Sequence, residues 1–470
     1  MTRLLLENFS WKNSVGETVM RRKLGKKDEF YGKLVGLVFP IAFQQFMLSL
    51  VSASDAVMLG KLNQDSLSAV SLAGQVMFVF NLFLAALTIG ASMFAAQYWG
   101  KGDTDTVERI LAFVLRFSVI VSAVFFAGAE LFPELLMKIF TSEAKLVSYG
   151  ADYLRVVGSS YLFCGASQIY LCIMKNSGHA GKSTLISSFA VVLNILLNAV
   201  FIFGLLGMPA MGIAGAALAT VTARGAELIW AVLDSLKEGH IRLRKRYVSG
   251  RDRALEKTFW KYTLPVLGNE LVWGCGFTMF SVIMGHMGSD AVAANSIAGI
   301  VKNLAVCFCL GVGSGGGIIV GNELGAGRMA LAKEYGGRLC RVSIISGIIS
   351  GFFVLVISPV ILHFSSISGQ ALYYLKWMLV MCSYYLVGKS VNSTTIGGIF
   401  CAGGDSRFGF LCDAVTLWVI IVPLGCLAAF VLKWPVTAVY FVLNLDEIIK
   451  LPAVYRHYKK YIWVKDLTNT

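Results

Sequence analysis

The chain has 470 residues, 56% of them apolar and only 14% charged, with a mean hydropathy of +0.70. A soluble domain carries about 25% charged residues, so a soluble enzyme or binding module is excluded. The formal net charge of +14 would suggest nucleic acid in a soluble protein; here Lys and Arg gather in a few connecting stretches, where they report membrane orientation, and no nucleic-acid partner is expected.

Residues 1–33 form a polar, basic arm with Arg21, Arg22, Lys23, Lys26 and Lys27. The apolar run from Leu34 to Leu59 is too long for the core of a signal peptide and reads as a first membrane span. About 20 apolar residues cross a bilayer as a helix, and eleven further runs qualify. The twelve lie near residues 34–59, 66–97, 109–131, 146–174, 183–206, 210–236, 263–288, 291–321, 339–363, 371–400, 406–431 and 435–455. Several exceed the minimum, which implies tilt or ends projecting into water. Transmembrane barrels, built from short alternating strands, are excluded.

The sequence repeats itself. Shifted by 225 residues, Pro40–Gly102 falls on Pro265–Gly327 without a gap. Pro40 meets Pro265, Gly60 meets Gly285, Asp65 meets Asp290, and Gly90 and Gly100 meet Gly315 and Gly325. A repeat this long marks two halves of one fold and not a solenoid unit. The fold class is therefore an all-α polytopic membrane protein: twelve transmembrane helices in two pseudo-symmetric six-helix bundles, at 34–236 and 263–455. A basic linker, 237–262, joins them, and a tail follows at 456–470.

Basic residues crowd the arm, the linker (Lys237, Arg242, Arg244, Lys245, Arg246, Arg251, Arg253, Lys257, Lys261), the connection after the eighth span and the tail. The alternate connections at 209–211, 288–290 and 365–370 have none. This asymmetry predicts a plasma-membrane protein with both termini and the linker in the cytoplasm. Six spans per half give the two repeats one orientation, related by an axis along the membrane normal, with any substrate site between them.

Two motifs mislead. Gly178–Thr184 looks like the end of a phosphate-binding loop but has Asn176 where the motif needs Gly, and no strand precedes it. The glycine-rich run 311–317 lies inside the eighth span, where close helix packing or a bend accounts for it. Cysteines are scattered through apolar segments without metal-ligand spacing, and no catalytic constellation is present. The chain is not expected to be an enzyme or to carry a structural metal or a cofactor. A monomer in the lipid bilayer is expected.

Ionisable groups inside membrane helices cost about 2.5–3.5 kcal/mol at mid-depth, so each is a functional candidate. Asp55 ends a polar stripe with Ser52 and Gln44 on the first span. Asn194 and Asn198 share a face of the fifth span at i,i+4, and Thr220 lies on the sixth. Oxygens of this kind beside one carboxylate suit a hard cation such as Na⁺; interhelical hydrogen bonding is the plainer reading. Glu270 stands in the second half where Gln45 stands in the first, with Trp273 and Phe277 continuing its face, a wall for an organic cation. Lys389 and Asp413 are both deep and are expected to neutralise one another or Glu270; Lys302 is another candidate partner for Glu270. Arg224 and Glu227, at i,i+3, read as a local ion pair.

Taken in order, several segments resemble the multidrug and toxic compound extrusion (MATE) transporters, in bacterial, Gram-positive style. They are Asp55–Gly60, Ala95–Gly102, Asn194–Gly204, Gly212–Thr220, Gly321–Gly327 and Gly403–Asp405, and the resemblance covers nearly the whole chain. It implies two six-helix lobes, alternating access, and export of small organic, mostly cationic compounds against H⁺ or Na⁺ as the coupling ion. By motif position it implies cation coupling, with a Na⁺ site as one form, at Asp55, Asn194, Asn198 and Thr220. It implies a substrate or proton carboxylate at Glu270, with Gln45, Trp273, Lys389 and Asp413 around it. Two positions depart from the pattern: Asn198 stands where some members carry Asp, and Lys389 stands near a helix-ten carboxylate of sodium-coupled members. The alternative is a lipid-linked precursor flippase of the same superfamily, which would need cavity-facing bases; Lys389, Lys302 and Arg224 are the candidates.

Overall fold

A computed structural model describes residues 29–51, 54–55, 58–62, 64–244, 246–247, 250, 252–365 and 367–469. Ser52, the basic arm through residue 28, Lys245 and Arg251 lie outside the described residues.

All regular structure among the described residues is helical. Helix α1 (Glu29–Val51) resumes at 54–55 and 58–60. It is followed by α2 (Gln64–Lys101) and α3 (Thr104–Leu131). Helix α4 is a pair, Ala144–Val157 and Ser159–Asn176, bent by 48°. Helices α5 (Ala180–Phe203) and α6 (Gly212–Ser235) complete the first bundle. The second comprises α7 (Arg253–Gly285), α8 (Ser289–Gly325), α9 (Met329–Phe364), α10 (Gly369–Asn392, winding on more loosely through Ser393–Phe400), α11 (Ser406–Val431) and α12. Helix α12 is broken into Val436–Leu443, Asp446–Ile449 and Leu451–Tyr458.

The rods extend further than the apolar runs. Helices α2, α8 and α9 contain 38, 37 and 36 residues, about 54–57 Å at 1.5 Å per residue, against a hydrocarbon core of about 30 Å. Rods of this length carry their ends past the hydrocarbon into water, where polar side chains can cap helices. Asp103 accepts from Thr106 N at the start of α3, and Asp252 accepts from Leu255 N at the start of α7. The cap at Asp252 is why α7 begins within the stretch that hydropathy assigns to the linker. The linker's basic residues are also tied down. Arg244 meets Glu108 at 2.6 Å and Arg246 meets Asp105 at 2.6 Å, both on the first turns of α3.

The repeat is visible as matched contacts. Asp65, in the first turn of α2, pairs with Lys145 at the start of α4; Asp290, its equivalent on α8, accepts from Ser368 at the start of α10 at 2.5 Å. The glycine-rich run of α8 is packed on two sides. A Cβ at Gly311 or Gly315 would meet Ala42 or Val38 of α1, and one at Gly313 or Gly317 would meet the loose turn at Ser393 or Gly398. Close packing, not a bend, accounts for it.

Besides α1 on α8, the bundles meet along α2, α7 and α8 at the end that carries the linker. Gly90 lies against Thr263 and Gly321 against Ala96. At Gly100 a Cβ would fall on the carbonyl oxygen of Asn322, and at Gly325 on that of Gln97. These two glycines are repeat equivalents, so the crossing sits on the pseudo-two-fold axis. Gln97, fully buried on α2, bridges to the other bundle: its Nε2 donates to Ala402 O (2.6 Å) and Lys465 O (3.1 Å), and its Oε1 accepts from Leu467 N (2.7 Å). The tail beyond α12 lies over this seam, with Trp463 buried and Lys465 Nζ on the Tyr262 hydroxyl at 2.9 Å. At the opposite end Gly74 and Gly299, another equivalent pair, have nothing within 4 Å of a Cβ. The bundles are thus in direct backbone contact at the linker end.

Gly325→Ala is expected to wedge this crossing, because the methyl group meets backbone and not a flexible side chain; overpacking of this kind costs about 1–3 kcal/mol. Spin labels at Thr104 and Ala330, exposed on the two bundles, should report a longer distance than in the parent. An unchanged distribution would show that the crossing does not set the closure.

Candidate functional site

The first bundle brings its four predicted polar residues together. Asn198, fully buried on α5, donates through Nδ2 to Asp55 Oδ1 at 2.6 Å and to Asn194 Oδ1 at 3.2 Å. Asn194 donates to Thr220 Oγ1 at 3.3 Å, and Thr220 returns its proton to Ala216 O at 3.1 Å. The i,i+4 spacing on α5 makes this line possible, since it stacks both amides on the face turned to α1 and α6. Asn198 Oδ1 is buried and has no hydrogen-bond partner among the described residues. Asp55 has no Lys or Arg within ion-pair distance among them. The nearby Arg224 is committed to Glu227 at 2.9 Å, as the spacing predicts, and Ser167 donates to the same carboxylate at 2.9 Å. A carboxylate, an open amide oxygen and a hydroxyl oxygen therefore lie on one hydrogen-bonded line, with no Lys or Arg paired to the carboxylate among the described residues. That donor set can take a proton on Asp55 or a hard cation among the oxygens.

Gln44 is buried on α1, whereas Gln45 is half-buried. The carbonyl of Gln45 accepts from Ser49 Oγ at 3.1 Å, and Ser49 lies 3.4 Å from Cys307 Sγ on α8. This places α1 against the second bundle at mid-depth.

In the second bundle the expected pairings do not form. Lys389 neither neutralises Asp413 nor bonds Glu270. It pairs with Glu447 at 3.1 Å, and Asp413 pairs with Lys450 at 2.8 Å. Lys450 also reaches Glu447 at 3.1 Å, and Asn392 donates to Glu447 Oε2 at 2.8 Å and to its backbone oxygen at 2.7 Å. The chain Lys389–Glu447–Lys450–Asp413 is held between α10, α11 and α12. Its α12 members are adjacent because Glu447 and Lys450 stand at i,i+3, with Lys450 at the helix break. The signal was in the sequence: Asp446, Glu447 and Lys450 lie within five residues of an otherwise apolar run. They lie inside the run expected at 435–455, where apolar neighbours mask them.

Glu270 is left alone. It is partly exposed and makes no hydrogen bond or ion pair with any described residue. Trp273 and Phe277 continue its face as predicted, stacked with centroids 5.7 Å apart at 17°. Lys389 Nζ lies 5.0 Å from the Trp273 ring centroid. Lys302 does not pair with Glu270; its Nζ meets Asn444 Oδ1 at 3.4 Å and stands over the Tyr385 and Phe277 rings.

The Gly178–Thr184 segment is the turn into α5. Lys182 there points to His240 Nε2 at 3.4 Å, and the His179 and His240 rings lie 4.0 Å apart.

Comparison with known proteins agrees with this architecture. The MatE family model matches twice, over residues 40–200 and 265–427, the two halves of the repeat. The chain is 22% identical over 441 residues to the uncharacterized transporter YisQ of Bacillus subtilis, covering 92% of this chain and 95% of that protein. It is 26% identical over 432 residues to a probable multidrug resistance protein NorM of Pseudomonas aeruginosa, covering 87% and 85%. Among solved structures, an outward-facing multidrug resistance MATE family transporter superposes with a TM-score of 0.84 at 18% identity, covering 93% of this chain and 96% of that one. With the family model matching both bundles, the chain belongs to the MatE family of multidrug and toxic compound efflux transporters.

Proposed function

We propose that this transporter exports lipophilic organic cations in exchange for H⁺ or Na⁺ entering from outside, with the linker and both termini in the cytoplasm. The observation that carries the coupling is Asp55: a carboxylate at membrane depth, hydrogen-bonded by Asn198 and left without a base. An ionised group in that position needs a proton or a cation to remain there. Glu270, equally without a partner and beside stacked aromatic rings, supports a cationic substrate.

The exchange follows from linkage. A ligand shifts a conformational equilibrium only through its differential affinity for the two states. A coupling ion that enters from the outer side and neutralises Asp55 changes the interior charge by one unit and disfavours retention of a cationic substrate in the outward-open state. One charge crossing the membrane supplies about 2.3 kcal/mol per 100 mV, enough to set the direction. The flippase alternative asks for bases free to hold pyrophosphate. Of its three candidates, Lys389 and Arg224 are committed to carboxylates and Lys302 alone is in no ion pair among the described residues; one free base is a poor match for a pyrophosphate, which favours the exporter.

Asp55→Asn keeps size and removes the charge. In proteoliposomes under imposed proton or sodium gradients, gradient-driven export should be lost while insertion and folding persist; export at the parent rate would leave Asp55 a wetted helix-end residue. Glu270→Gln should weaken ethidium binding to the purified protein by about tenfold, or about 1.4 kcal/mol; unchanged affinity would remove Glu270 from the substrate site. In a background without native cysteines, Gln370→Cys should react with an impermeant thiol reagent applied outside and Glu238→Cys should not. The reverse pattern would invert the orientation, and with it the direction of transport.

A further inference from the structure

Around Glu447 the interior of the second bundle holds three lysines, Lys302, Lys389 and Lys450, and the ion pairs among the described residues account for two. Lys389 and Lys450 share Glu447, and Lys450 also holds Asp413. Lys302, on α8, has no carboxylate within ion-pair distance among the described residues. Its Nζ has one weak acceptor, Asn444 Oδ1 at 3.4 Å, and two ring faces, Tyr385 at 4.6 Å and Phe277 at 5.7 Å. Asp446, the remaining carboxylate of this interior, is buried and bonds to no described residue, Lys302 included; its Oδ1 has no partner. Residue 302 lies well inside a 37-residue helix, so it does not reach water by snorkelling from a helix end.

Ring faces and one amide oxygen compensate an ammonium only in part. The side chain is nevertheless partly exposed, as are Phe277 and Trp273 next to it. The arrangement is ordered: Lys302 stands at the Phe277 end of the stacked pair, Lys389 stands over the Trp273 end, and Glu270 lies one turn further along α7. Of the two lysines, only Lys302 is free of a carboxylate.

We propose that Lys302 and the Phe277–Trp273 pair form a subsite for an aromatic organic anion, an aryl sulfonate or carboxylate. Its acid group seats on Lys302 Nζ in a charge-assisted hydrogen bond, and its ring system lies along the stacked pair. The proposal rests on the export reading in taking this interior as substrate-facing, and it separates two chemistries by residue: cations depend on Glu270, anions on Lys302.

The test uses one ring system with either charge. Binding of 1-pyrenesulfonate and of 1-pyrenemethylammonium to the purified full-length protein is followed by fluorescence, with melting temperature recorded for each variant. Lys302→Met should weaken pyrenesulfonate by at least about tenfold and leave pyrenemethylammonium within about threefold. Lys302→Arg should keep both within about threefold. Lys302→Gln repeats the charge removal with a polar side chain. The proposal is overturned if the parent protein does not bind pyrenesulfonate, if Lys302→Met binds it as the parent does, or if Met and Gln variants both lose both probes with lowered melting temperatures, which would assign the charge to the fold. Absence of ethidium export together with selective loss of pyrenesulfonate in Lys302→Met would sink the cation-export reading and leave the subsite standing.

Discussion

Inside a bilayer no water is at hand to solvate a stray charge, so each charged side chain at depth has to find its counterpart within the protein. Most of this protein's buried charges do. Arg224 has Glu227, and the lysines of α10 and α12 share Glu447 and Asp413. Breaking such a pair from one side costs about 3–5 kcal/mol, because the survivor is left buried and uncompensated. These pairs hold helices together and fix their rotation. Against that satisfied background, Asp55, Glu270 and Lys302 stand out, each partly exposed and none in an ion pair among the described residues. The same constraint that makes the pairs structural makes these three available to ligands.

The helix plan was legible because its signals are local and long. Apolar runs of about 20 residues, a gapless repeat and the placement of Lys and Arg are all read along the chain. The first-bundle cluster was legible for a related reason: Asn194 and Asn198 declare a shared face by spacing alone, and helices α5 and α6 are neighbours through a short turn. The partner of Lys389 was not. It depends on which way α10, α11 and α12 are rotated and where α12 breaks, and neither follows from hydropathy. Asp446, Glu447 and Lys450 were hidden inside the run expected at 435–455, masked by its apolar neighbours. Helix ends also ran past the apolar runs, since caps such as Asp252 and not hydrophobicity decide where a helix stops in water.

The two bundles share a backbone plan and differ in what they hold. Repeat-equivalent positions keep the geometry: Asp65 and Asp290 anchor α2 and α8, and Gly100 and Gly325 cross on the axis. The polar content has diverged. The first interior is carboxylate, amide and hydroxyl; the second is a ladder of lysines and acids beside aromatic rings. Gln45 and Glu270 show the difference at one equivalent position, an amide in one bundle and a carboxylate in the other. Symmetry thus governs how the two bundles meet, while chemistry is assigned to each bundle separately.

Gln97 gives the seam between them a particular mechanical character. A wholly greasy interface between α2 and the second bundle would adhere, because parting it exposes apolar surface with no compensation. A buried amide with three hydrogen bonds across the seam behaves otherwise: as the surfaces part, water can take each bond in turn, and the net loss per bond is small. Its partners, Ala402 O, Lys465 O and Leu467 N, are backbone groups, so the register of closure does not depend on any flexible side chain opposite. The amide therefore makes the shut position specific without making it sticky: in the exchange proposed above, residues 465–467 act as a wettable clasp.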